Sequence, residues 1–335
     1  MDNNLMRPTL KDVAKLSQKS LTTVSMVLSD DEGAKRISEE TKQRIHEAAK
    51  KLGYRPHFFG KALRSQQTKQ IGLVIPNLFH PYMQMLIKGC GDVAKQWGYN
   101  LILMNMTDLT GDEVRSTISS YIHSNMVDGL VVHSMGKTLR NTVEHMHVAY
   151  VEETEYLPSV TFDGNLAAYQ ITKLLLDEGI DDLVFINGNI PVQTFDVRTQ
   201  GFIKACEERG ITIDPSNMLF VDSSLQGGLD AFETLKVRSC FPKGIVVATD
   251  VIAHPILMQL VAGGVRVPED VRIASIDDIE FSSIITPSLT SVHVDAERIG
   301  REATDILLDL IQGKLVEKVC KTIPIELVIR QSSGK

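Results

Sequence analysis

The sequence has few of the features that mark a secreted protein. Its four cysteines lie far apart, form no CxxC pair and have no His nearby at the spacing of metal ligands: Cys90, Cys206, Cys240 and Cys320. Disulfide frameworks occur mainly in short secreted chains, so we expect four reduced thiols, most of them buried. The N-terminus has no apolar stretch of the kind found in signal peptides.

Long apolar runs are missing as well. The most apolar long stretch, residues 244–265, is interrupted by Asp250, His254 and Pro255, which argues against a membrane span. The composition, with 43% hydrophobic and 23% charged residues, excludes wholesale disorder. We therefore expect a cytoplasmic globular protein that makes no contact with a membrane, with two or three domains in its 335 residues.

Each enzyme motif fails at a required residue. Residues 132–136 (VHSMG) resemble a nucleophile elbow, but Val132 stands where the first glycine is needed. Residues 46–50 (HEAAK) begin like a zincin helix, but Lys50 stands where the second histidine is required. The dinucleotide motif GxGxxG does not follow the first apolar run, and the sequence has no P-loop motif. We therefore expect no enzyme activity, no catalytic residue, no metal site and no cofactor.

The negative net charge of the chain conceals two parts of opposite charge. The whole sequence carries −7 at pH 7, which by itself argues against nucleic acid as a partner. Residues 1–64, however, hold eight Lys and five Arg against four Asp and four Glu, a net charge of +5, and the remaining 271 residues carry −12. A small basic module joined to a large acidic one is compatible with DNA binding by the first part.

Three short helices are predicted in the basic module. Thr9, Ser20 and Ser38 each precede apolar residues at helical spacing, and a hydroxyl side chain in that position caps a helix N-terminus. Gly53 is placed to end the third helix, because glycine readily adopts the left-handed conformation found at helix C-termini. The polar break at residues 17–19 joins the first two helices by a tight turn, so the pattern predicts a helix-turn-helix.

From residue 71 onward, short apolar runs alternate with amphipathic segments. The runs are IGLVIP, NLILMNM, GLVVHS, VAYVEE, SVTF, LVFING, MLFVD, GIVVATD and IASID. Runs of this length, followed by helical segments such as 82–97 and 166–178, indicate parallel β-strands with helices on both faces of the sheet. We expect about nine or ten strands, more than one open sheet comfortably holds, and therefore an α/β region with two lobes.

A series of spaced motifs runs through both parts of the chain. In the basic module they are TLKDVA at 9–14, SxxTVSxVL at 20–28, LGYRP at 52–56 and KALR at 61–64. In the α/β region they are IGLVIP at 71–76, DG at 128–129, RxxG at 198–201, VPED at 267–270, DDI at 277–279 and PxLT at 287–290. In this order they resemble the LacI/GalR family of bacterial transcription regulators over essentially the whole chain.

The resemblance implies three segments. An all-α helix-turn-helix headpiece would span residues 1–56, and a hinge helix with its linker would span residues 57–68. An α/β core for effector binding and dimerisation would span residues 69–335, with two Rossmann-like lobes of the type I periplasmic-binding-protein architecture. The N-lobe would comprise about 69–162 and 292–324, and the C-lobe about 163–291 and 325–335.

The resemblance also implies a function. We expect a homodimeric, sequence-specific DNA-binding transcription regulator, a repressor, which binds a palindromic double-stranded DNA operator because a two-fold symmetric dimer reads two half-sites. A small-molecule effector, a sugar or sugar derivative bound between the core lobes, would control operator affinity allosterically. Whether the effector releases or promotes DNA binding stays open. The alternative is a cytosolic sugar-binding protein without a DNA role, and no residue supports the phosphocarrier co-regulator that one branch of the family uses.

Four headpiece residues are expected to position the protein on the DNA backbone. Ser20, Thr23 and Ser25 carry short hydroxyl groups suited to phosphate oxygens around the second helix, and Thr9 is suited to the same contact at the first. Tyr54, in the LGYRP motif, is included among the DNA-binding positions. An alternative role for Thr9 and Ser20 is helix capping alone, and the two roles are compatible because a capped helix N-terminus attracts anions.

Base recognition is assigned by the resemblance to Leu21, Thr22 and Met26. An arginine, which can grip a guanine edge with two hydrogen bonds, is common in the family at the position of Met26. Methionine offers only apolar contact, for instance to a thymine methyl group, so we expect an operator that departs from the common type. The turn also departs from the family, since Gln18 and Lys19 replace the usual Gly-Val and leave the turn geometry open.

The expected hinge contains one apolar residue between basic ones. In the family, the counterpart of Leu63 enters the minor groove and kinks the duplex, as apolar wedges of architectural proteins do. Leu63 lies between Lys61 and Arg64, and Gly60 weakens helix formation by about 1 kcal/mol relative to alanine. This suits a segment that becomes ordered on DNA. The alternative is that Leu63 packs against the core.

The effector site is expected beyond the carboxyl ends of the core strands, where open α/β sheets bind ligands. The candidate residues are Leu78, Phe79, Tyr82, Phe162, Arg198, Asp250 and Asp277. The resemblance assigns effector hydroxyls or carboxylates to Arg198 and Asp277, a donor and an acceptor that together satisfy a polyol. The alternative is that these two side chains pair with each other across the cleft without a ligand. Thr249 and Ser275 depart from the family pattern, so ligand identity does not carry over.

Overall fold

The computed structural model describes residues 8–29, 32–54, 67–190, 192–238, 240–314 and 320–334. It divides into two compact units, Met1–Lys69 and Gln70–Lys335. The expected hinge residues Gly60, Lys61, Leu63 and Arg64 lie outside the described residues. Each unit is therefore described by itself.

The first unit is helical. Its helices are α1 (Leu10–Ser17), α2 (Leu21–Leu28), a 3-10 helix (Glu32–Arg36) and α3 (Glu39–Leu52). Apolar residues at helical spacing pack into one small core that consists of Val13, Val24, Val27, Ile45, Ala48 and Ala49. The caps expected at Ser20 and Ser38 form: their hydroxyls accept from the backbone N–H three residues on, at 3.1 and 3.4 Å, and Gly53 ends α3 at φ 64°.

The second unit contains two six-stranded sheets. The first sheet has the order β11-β5-β4-β3-β1-β2, and the second has the order β12-β10-β9-β8-β6-β7. The strands of the first sheet are β1 (Gln70–Ile75), β2 (Asn100–Asn105), β3 (Gly129–His133), β4 (His147–Val151), β5 (Ser159–Phe162) and β11 (Cys320–Ile323). Those of the second are β6 (Leu183–Gly188), β7 (Met218–Val221), β8 (Gly244–Val247), β9 (Arg272–Asp277), β10 (Thr290–Val294) and β12 (Ile325–Val328). We refer to these sheets with their helices as the first lobe and the second lobe.

Helices connect the parallel strands of each lobe. They are α4 (Pro81–Gln96), α5 (Gly111–His123), α6 (Gly136–Leu139), α7 (Gly164–Asp177), α8 (Gln193–Glu208), α9 (Leu225–Lys236), α10 (Asp250–Ala262), α11 (Phe281–Ile284) and α12 (Ala296–Ile311). Two glycines let α4 and α12 approach closely, because a Cβ on Gly89 would lie 2.0 Å from the Glu297 carbonyl oxygen and one on Gly300 2.4 Å from that of Leu86. None of the helices that the structure describes combines the length and apolarity needed to cross a membrane.

The α/β fold class with two lobes is confirmed, but the expected strand count is too low. The described residues form twelve strands, and the apolar runs correspond to β1–β9. The strands without a matching run are β10, β11 and β12. Strand β11 pairs with β5 at the edge of the first sheet and has three exposed residues of four, and β12 pairs antiparallel with β10. Edge strands of this kind lack the continuous apolar run that marks a buried parallel strand.

Candidate DNA-binding face and effector cavity

The expected base-reading residues lie on the surface of α2. Val24 and Val27 point into the headpiece core, and this leaves the other side of the helix accessible. Leu21 and Thr22 are exposed, and Met26, one turn beyond Thr22, is half-buried. These three side chains therefore lie on the part of α2 that the headpiece core leaves accessible.

The hydroxyl residues at the N-terminus of α2 are linked to each other. The Ser20 Oγ lies 2.7 Å from Thr23 Oγ1 in addition to accepting from the Thr23 N–H, and Ser25 lies half-buried one turn further on. The exposed Thr9 donates both its N–H and its hydroxyl to Asp12 at 2.7 Å. Tyr54 packs half-buried against the headpiece core. Capping and an exposed helix N-terminus thus coexist at the start of α2.

The turn between α1 and α2 forms without the usual glycine. Gln18 adopts the left-handed conformation at φ 55° and ψ 39°, which costs a non-glycine residue roughly 1–2 kcal/mol. Hydrogen bonds from Gln18 N–H to Lys15 and from Lys19 N–H to Ala14 close the turn. The Gln18 side chain accepts a further hydrogen bond from Arg44 of α3 at 2.7 Å. The replacement of glycine therefore preserves the turn and ties it to the third helix.

A cavity of about 360 Å³ lies between the two lobes of the second unit. Its lining comes from residues at the carboxyl ends of β1–β4 in the first lobe and of β6–β9 in the second, where parallel sheets bind ligands. Three of the expected effector-binding residues line it: Tyr82, Arg198 and Asp277. The strand order of the two sheets brings these residues together from distant parts of the chain.

Arg198 and Asp277 pair with each other inside the second lobe. Arg198 Nη2 lies 3.6 Å from Asp277 Oδ1, and Nη1 donates to the carbonyl oxygen of Ala248. The guanidinium also lies 5.4 Å from the Phe162 ring centroid and 5.9 Å from that of Phe195. Burial raises the pKa of Asp277 well above its usual range, and Arg198 opposes that shift. The pair stays within one lobe and does not cross the cleft.

Three lining residues absent from the sequence prediction form a buried polar cluster in the first lobe. His133 Nε2 lies 3.4 Å from Oε1 of Glu152, and His80 and Tyr82 contribute their polar groups nearby. Burial alone would raise the pKa of Glu152, but His133 and Arg198 outweigh it and lower this pKa to about 2. Burial, aided by the charge of Arg198, lowers the pKa of His80 to about 4. At neutral pH the cluster therefore holds an ionised carboxylate beside a neutral His80.

Several buried polar atoms around the cavity have no hydrogen-bond partner among the described residues. They are His80 Nδ1, Tyr82 Oη, both ring nitrogens of His133, Glu152 Oε1, Arg198 Nε, Thr249 Oγ1 and Asp277 Oδ2. Buried polar groups in folded proteins are normally hydrogen-bonded, so a set of this size in one cavity indicates a site for a polar ligand. No group of three or more His, Cys, Asp or Glu side chains within the described part of the chain is arranged to hold a metal ion.

Four expected effector residues lie elsewhere. Leu78 packs half-buried against the core of the unit, and Phe79 is 77% exposed. Phe162 lines a neighbouring cavity of about 260 Å³ and supports Arg198 from that side. Asp250 is fully buried outside the cavity lining. Its carboxylate accepts hydrogen bonds from the hydroxyls of Ser275, Ser282 and Ser291 and from the Ile279 N–H, an arrangement that joins α10, β9, α11 and β10.

The sequence contained a signal for two of the residues that the prediction missed, His133 and Glu152. His133, in the run GLVVHS, is the last residue of β3, and Glu152, in the run VAYVEE, directly follows β4, so both stand at the carboxyl end of a buried strand. The same rule placed Asp277 correctly at the end of β9. The neighbouring Glu153 is also buried, and burial raises its pKa to about 7 although the Gly136 N–H donates to both of its oxygens at 2.9 and 2.8 Å.

Comparison with known proteins identifies the family. Residues 9–57 match the bacterial regulatory proteins of the lacI family, and residues 172–333 match the periplasmic binding protein-like domain. The HTH-type transcriptional regulator RegA of Clostridium saccharobutylicum is 31% identical, over 98% of this chain and 100% of RegA. Catabolite control protein A of Priestia megaterium is 28% identical, over 98% of this chain and 100% of that protein.

Solved structures agree with this relationship. The complex of the transcriptional regulator CelR with cellobiose superposes with a TM-score of 0.72 at 25% identity, over 97% of this chain and 100% of CelR. The lac repressor dimer bound to operator and the anti-inducer ONPF superposes with a TM-score of 0.85, over 98% of this chain and 99% of that chain, and at 20% identity it supports the fold. The headpiece, the two-lobed core and the relatives lead to one conclusion: the chain belongs to the LacI family of bacterial regulatory proteins and is a DNA-binding transcription regulator, not an enzyme.

Proposed function

We propose that this regulator is a cytoplasmic homodimeric repressor whose operator affinity is controlled by a small polar molecule bound in the cavity between the lobes. The observation that carries the proposal is the combination, in one chain, of a helix-turn-helix headpiece and a cavity rich in unpartnered buried polar atoms. We assign residues 1–56 to DNA binding, residues 57–68 to a hinge and residues 69–335 to effector binding and dimerisation.

DNA contact is assigned to the exposed face of α2. Leu21, Thr22 and Met26 would meet base edges in the major groove, with Met26 offering apolar contact suited to a thymine methyl group. Ser20 and Ser25 would meet phosphate oxygens, which position the headpiece without reading sequence. Thr9, Thr23 and Tyr54 are assigned to the same role, and Leu63 to the minor groove as a wedge that bends the duplex.

The effector is assigned to the class of sugars and their derivatives. CelR, at 25% identity over nearly the whole chain, was solved in complex with cellobiose. The cavity presents hydroxyl, carboxylate and imidazole groups beside apolar side chains such as Phe195 and Met83, and such a lining suits a molecule with hydroxyl groups and an apolar face. We expect Tyr82, Arg198 and Asp277 to contact it, together with Glu152 and His133.

Control of DNA binding would follow from a change in the arrangement of the lobes. A ligand shifts a conformational equilibrium only by its difference in affinity for the two states, and such coupling is typically 1–3 kcal/mol. A single headpiece would bind DNA weakly, so occupancy of a palindromic operator depends on whether both headpieces of the dimer can engage together.

A footprinting experiment on the promoters adjacent to the protein's own gene tests the proposal. We expect a protected palindrome at physiological salt, bound at least about 1000-fold more tightly than random duplex. Equal affinity for the palindrome and for random duplex would contradict the regulator assignment. Ligand binding without any operator preference would favour the alternative, a cytosolic sugar-binding protein without a DNA role.

A further inference from the structure

Acidic side chains outnumber lysine and arginine in the described lining of the cavity. Of the lining residues that the structure describes, Glu152, Asp277, Asp108 and Asp222 carry carboxyl groups, and Arg198 is the lone lysine or arginine. Glu152 and Asp277 are buried, while Asp108 and Asp222 lie at exposed positions around the same cavity. Apart from the Arg198–Asp277 pair, the described lining therefore offers acidic side chains and no lysine or arginine.

The single guanidinium is already engaged. Arg198 donates to the carbonyl oxygen of Ala248 through Nη1, and its Nη2 lies 3.6 Å from Asp277, so both terminal nitrogens already face acceptors inside the second lobe. Recognition of a phosphate or carboxylate normally uses a guanidinium fork or a cluster of basic side chains that is free to face the anion. His80 does not supply that charge, because burial keeps its pKa near 4.

The unpartnered oxygen of Glu152 requires a donor. Oε1 of Glu152 accepts no hydrogen bond among the described residues, although His133 Nε2 lies 3.4 Å away, and an ionised carboxylate oxygen only accepts. A hydroxyl or amino group on the ligand would satisfy it. A phosphate group at neutral pH offers almost only acceptors and would add negative charge beside Glu152, which holds its own charge at that pH.

We propose that the cavity accepts a small molecule that carries hydroxyl or amino donors and no anionic group, and that it rejects the phosphorylated form of the same molecule. The inference rests on the proposed effector site. Glu152 acts as the residue that sets this preference, because it is the buried carboxylate that the first lobe contributes to the cavity lining, and its Oε1 accepts no hydrogen bond among the described residues.

A fractionated metabolite extract tests the proposal on many candidate effectors at once. A bacterial metabolite extract is passed over an anion-exchange resin at pH 7.5, and the thermal unfolding midpoint of the full-length protein is measured with the unretained and with the retained fraction. We expect the unretained fraction, which holds neutral and cationic molecules, to raise Tm by at least about 3 °C, and the retained fraction, which holds phosphates and carboxylates, to leave it unchanged.

The three outcomes are distinguishable. A larger rise with the retained fraction would overturn this inference and leave the proposed effector site intact. A rise with neither fraction would contradict the effector site itself and, with it, this inference. Protection of a palindrome by the same protein sample would still support the DNA-binding part of the proposed function.

A charge-neutral variant tests the role of Glu152. Glu152→Gln keeps the shape of the side chain and an oxygen for the Thr194 hydroxyl, but it removes the charge. We expect the Tm shift from the unretained fraction to fall by at least half, while Glu207→Gln, which removes an exposed carboxylate at the far end of the helix that carries Arg198, retains the full shift. A full shift in both variants, with native far-UV circular dichroism, would overturn the assignment of Glu152.

Discussion

Gln193 of the second lobe forms two hydrogen bonds with Thr154 of the first. The Thr154 N–H donates to Gln193 Oε1 at 3.0 Å, and Gln193 Nε2 donates to Thr154 Oγ1 at 2.9 Å. Beside this pair, the Thr194 hydroxyl donates to Oε2 of Glu152 at 3.2 Å. The first two residues of α8 thus contact the first lobe beside the cavity. One of these contacts involves the Glu152 carboxylate, which we also assign to ligand binding.

Removal of the Gln193 side chain is expected to weaken the closed arrangement of the lobes. Each neutral hydrogen bond contributes about 1 kcal/mol net, so Gln193→Ala should lower effector affinity by roughly 3- to 30-fold by calorimetry. Operator affinity without effector should change little, as measured by fluorescence anisotropy. Gln226→Ala is the matched control, because among the described residues the Gln226 side chain bonds only Asp230 of its own helix. Equal effector affinities for the two variants would contradict a role of the Gln193–Thr154 pair in closure.

The sequence predicted the local structure better than the site. Ser20, Ser38 and Gly53 mark helix ends through contacts within three or four residues, and such contacts can be inferred from spacing alone. The continuous apolar runs likewise identified β1–β9, because a buried parallel strand is apolar on both faces. The four-residue edge strand β11 carries no such signal.

The site depends on contacts between residues far apart in the sequence. Asp250 and Asp277 both stand near the carboxyl end of a strand, and the sequence alone could not tell which one faces the cavity. Three serines from other elements enclose Asp250, whereas Asp277 meets Arg198 and keeps one unpaired oxygen. The positions of those partners are set by tertiary packing, which spacing does not encode.

Ser20→Ala should affect stability and DNA binding together. Loss of an N-cap hydroxyl costs about 1 kcal/mol, which native-state hydrogen exchange of α2 would detect. If Ser20 also contacts a phosphate, affinity for operator and for random DNA should fall by a similar factor of roughly 5 to 10, because phosphate contacts carry no sequence information. Ser38→Ala is the matched control, since Ser38 caps α3 in the same way. An equal loss of DNA affinity in both variants would mean that Ser20 acts by helix capping alone, without a phosphate contact.

Asp250→Asn tests whether this residue is structural. The Asp250 carboxylate accepts hydrogen bonds from hydroxyl and N–H groups, whereas the asparagine amide would place its own N–H donors against some of those donors. We therefore expect the free energy of unfolding, measured with urea, to fall by about 2–4 kcal/mol. The surface variant Asp230→Asn should stay within about 0.5 kcal/mol of the parent. Unchanged stability combined with loss of effector binding would instead support the prediction from the sequence that Asp250 contacts the effector.

His254 should make stability depend on pH below 7. Its Nε2 lies 2.8 Å from the hydroxyl oxygen of Ser282, whose proton goes to Asp250, and its ring lies edge-on against Phe281 at 5.1 Å. The imidazole therefore donates through Nε2 in its neutral form. Burial lowers the pKa of His254 to about 4, whereas a histidine in the unfolded chain titrates near 6.5.

The sign of the dependence follows from proton binding. Between pH 6.5 and 4 the unfolded chain takes up a proton at this position that the native chain does not, so the contribution of His254 to stability is present above pH 6.5 and is lost as the pH falls to 4. His254→Gln abolishes this titration. The stability advantage of the parent over the variant, from urea unfolding at each pH, should shrink by about 3 kcal/mol between pH 7 and pH 4.

The same comparison with His145→Gln, at an exposed position, should show no such trend. A pH-independent difference for His254→Gln would mean that the buried imidazole does not remain neutral. His80, with its pKa lowered to about 4, and Asp250, with its pKa raised to about 6 by burial, also titrate in this range, but they are present in both parent and variant and largely cancel from the difference.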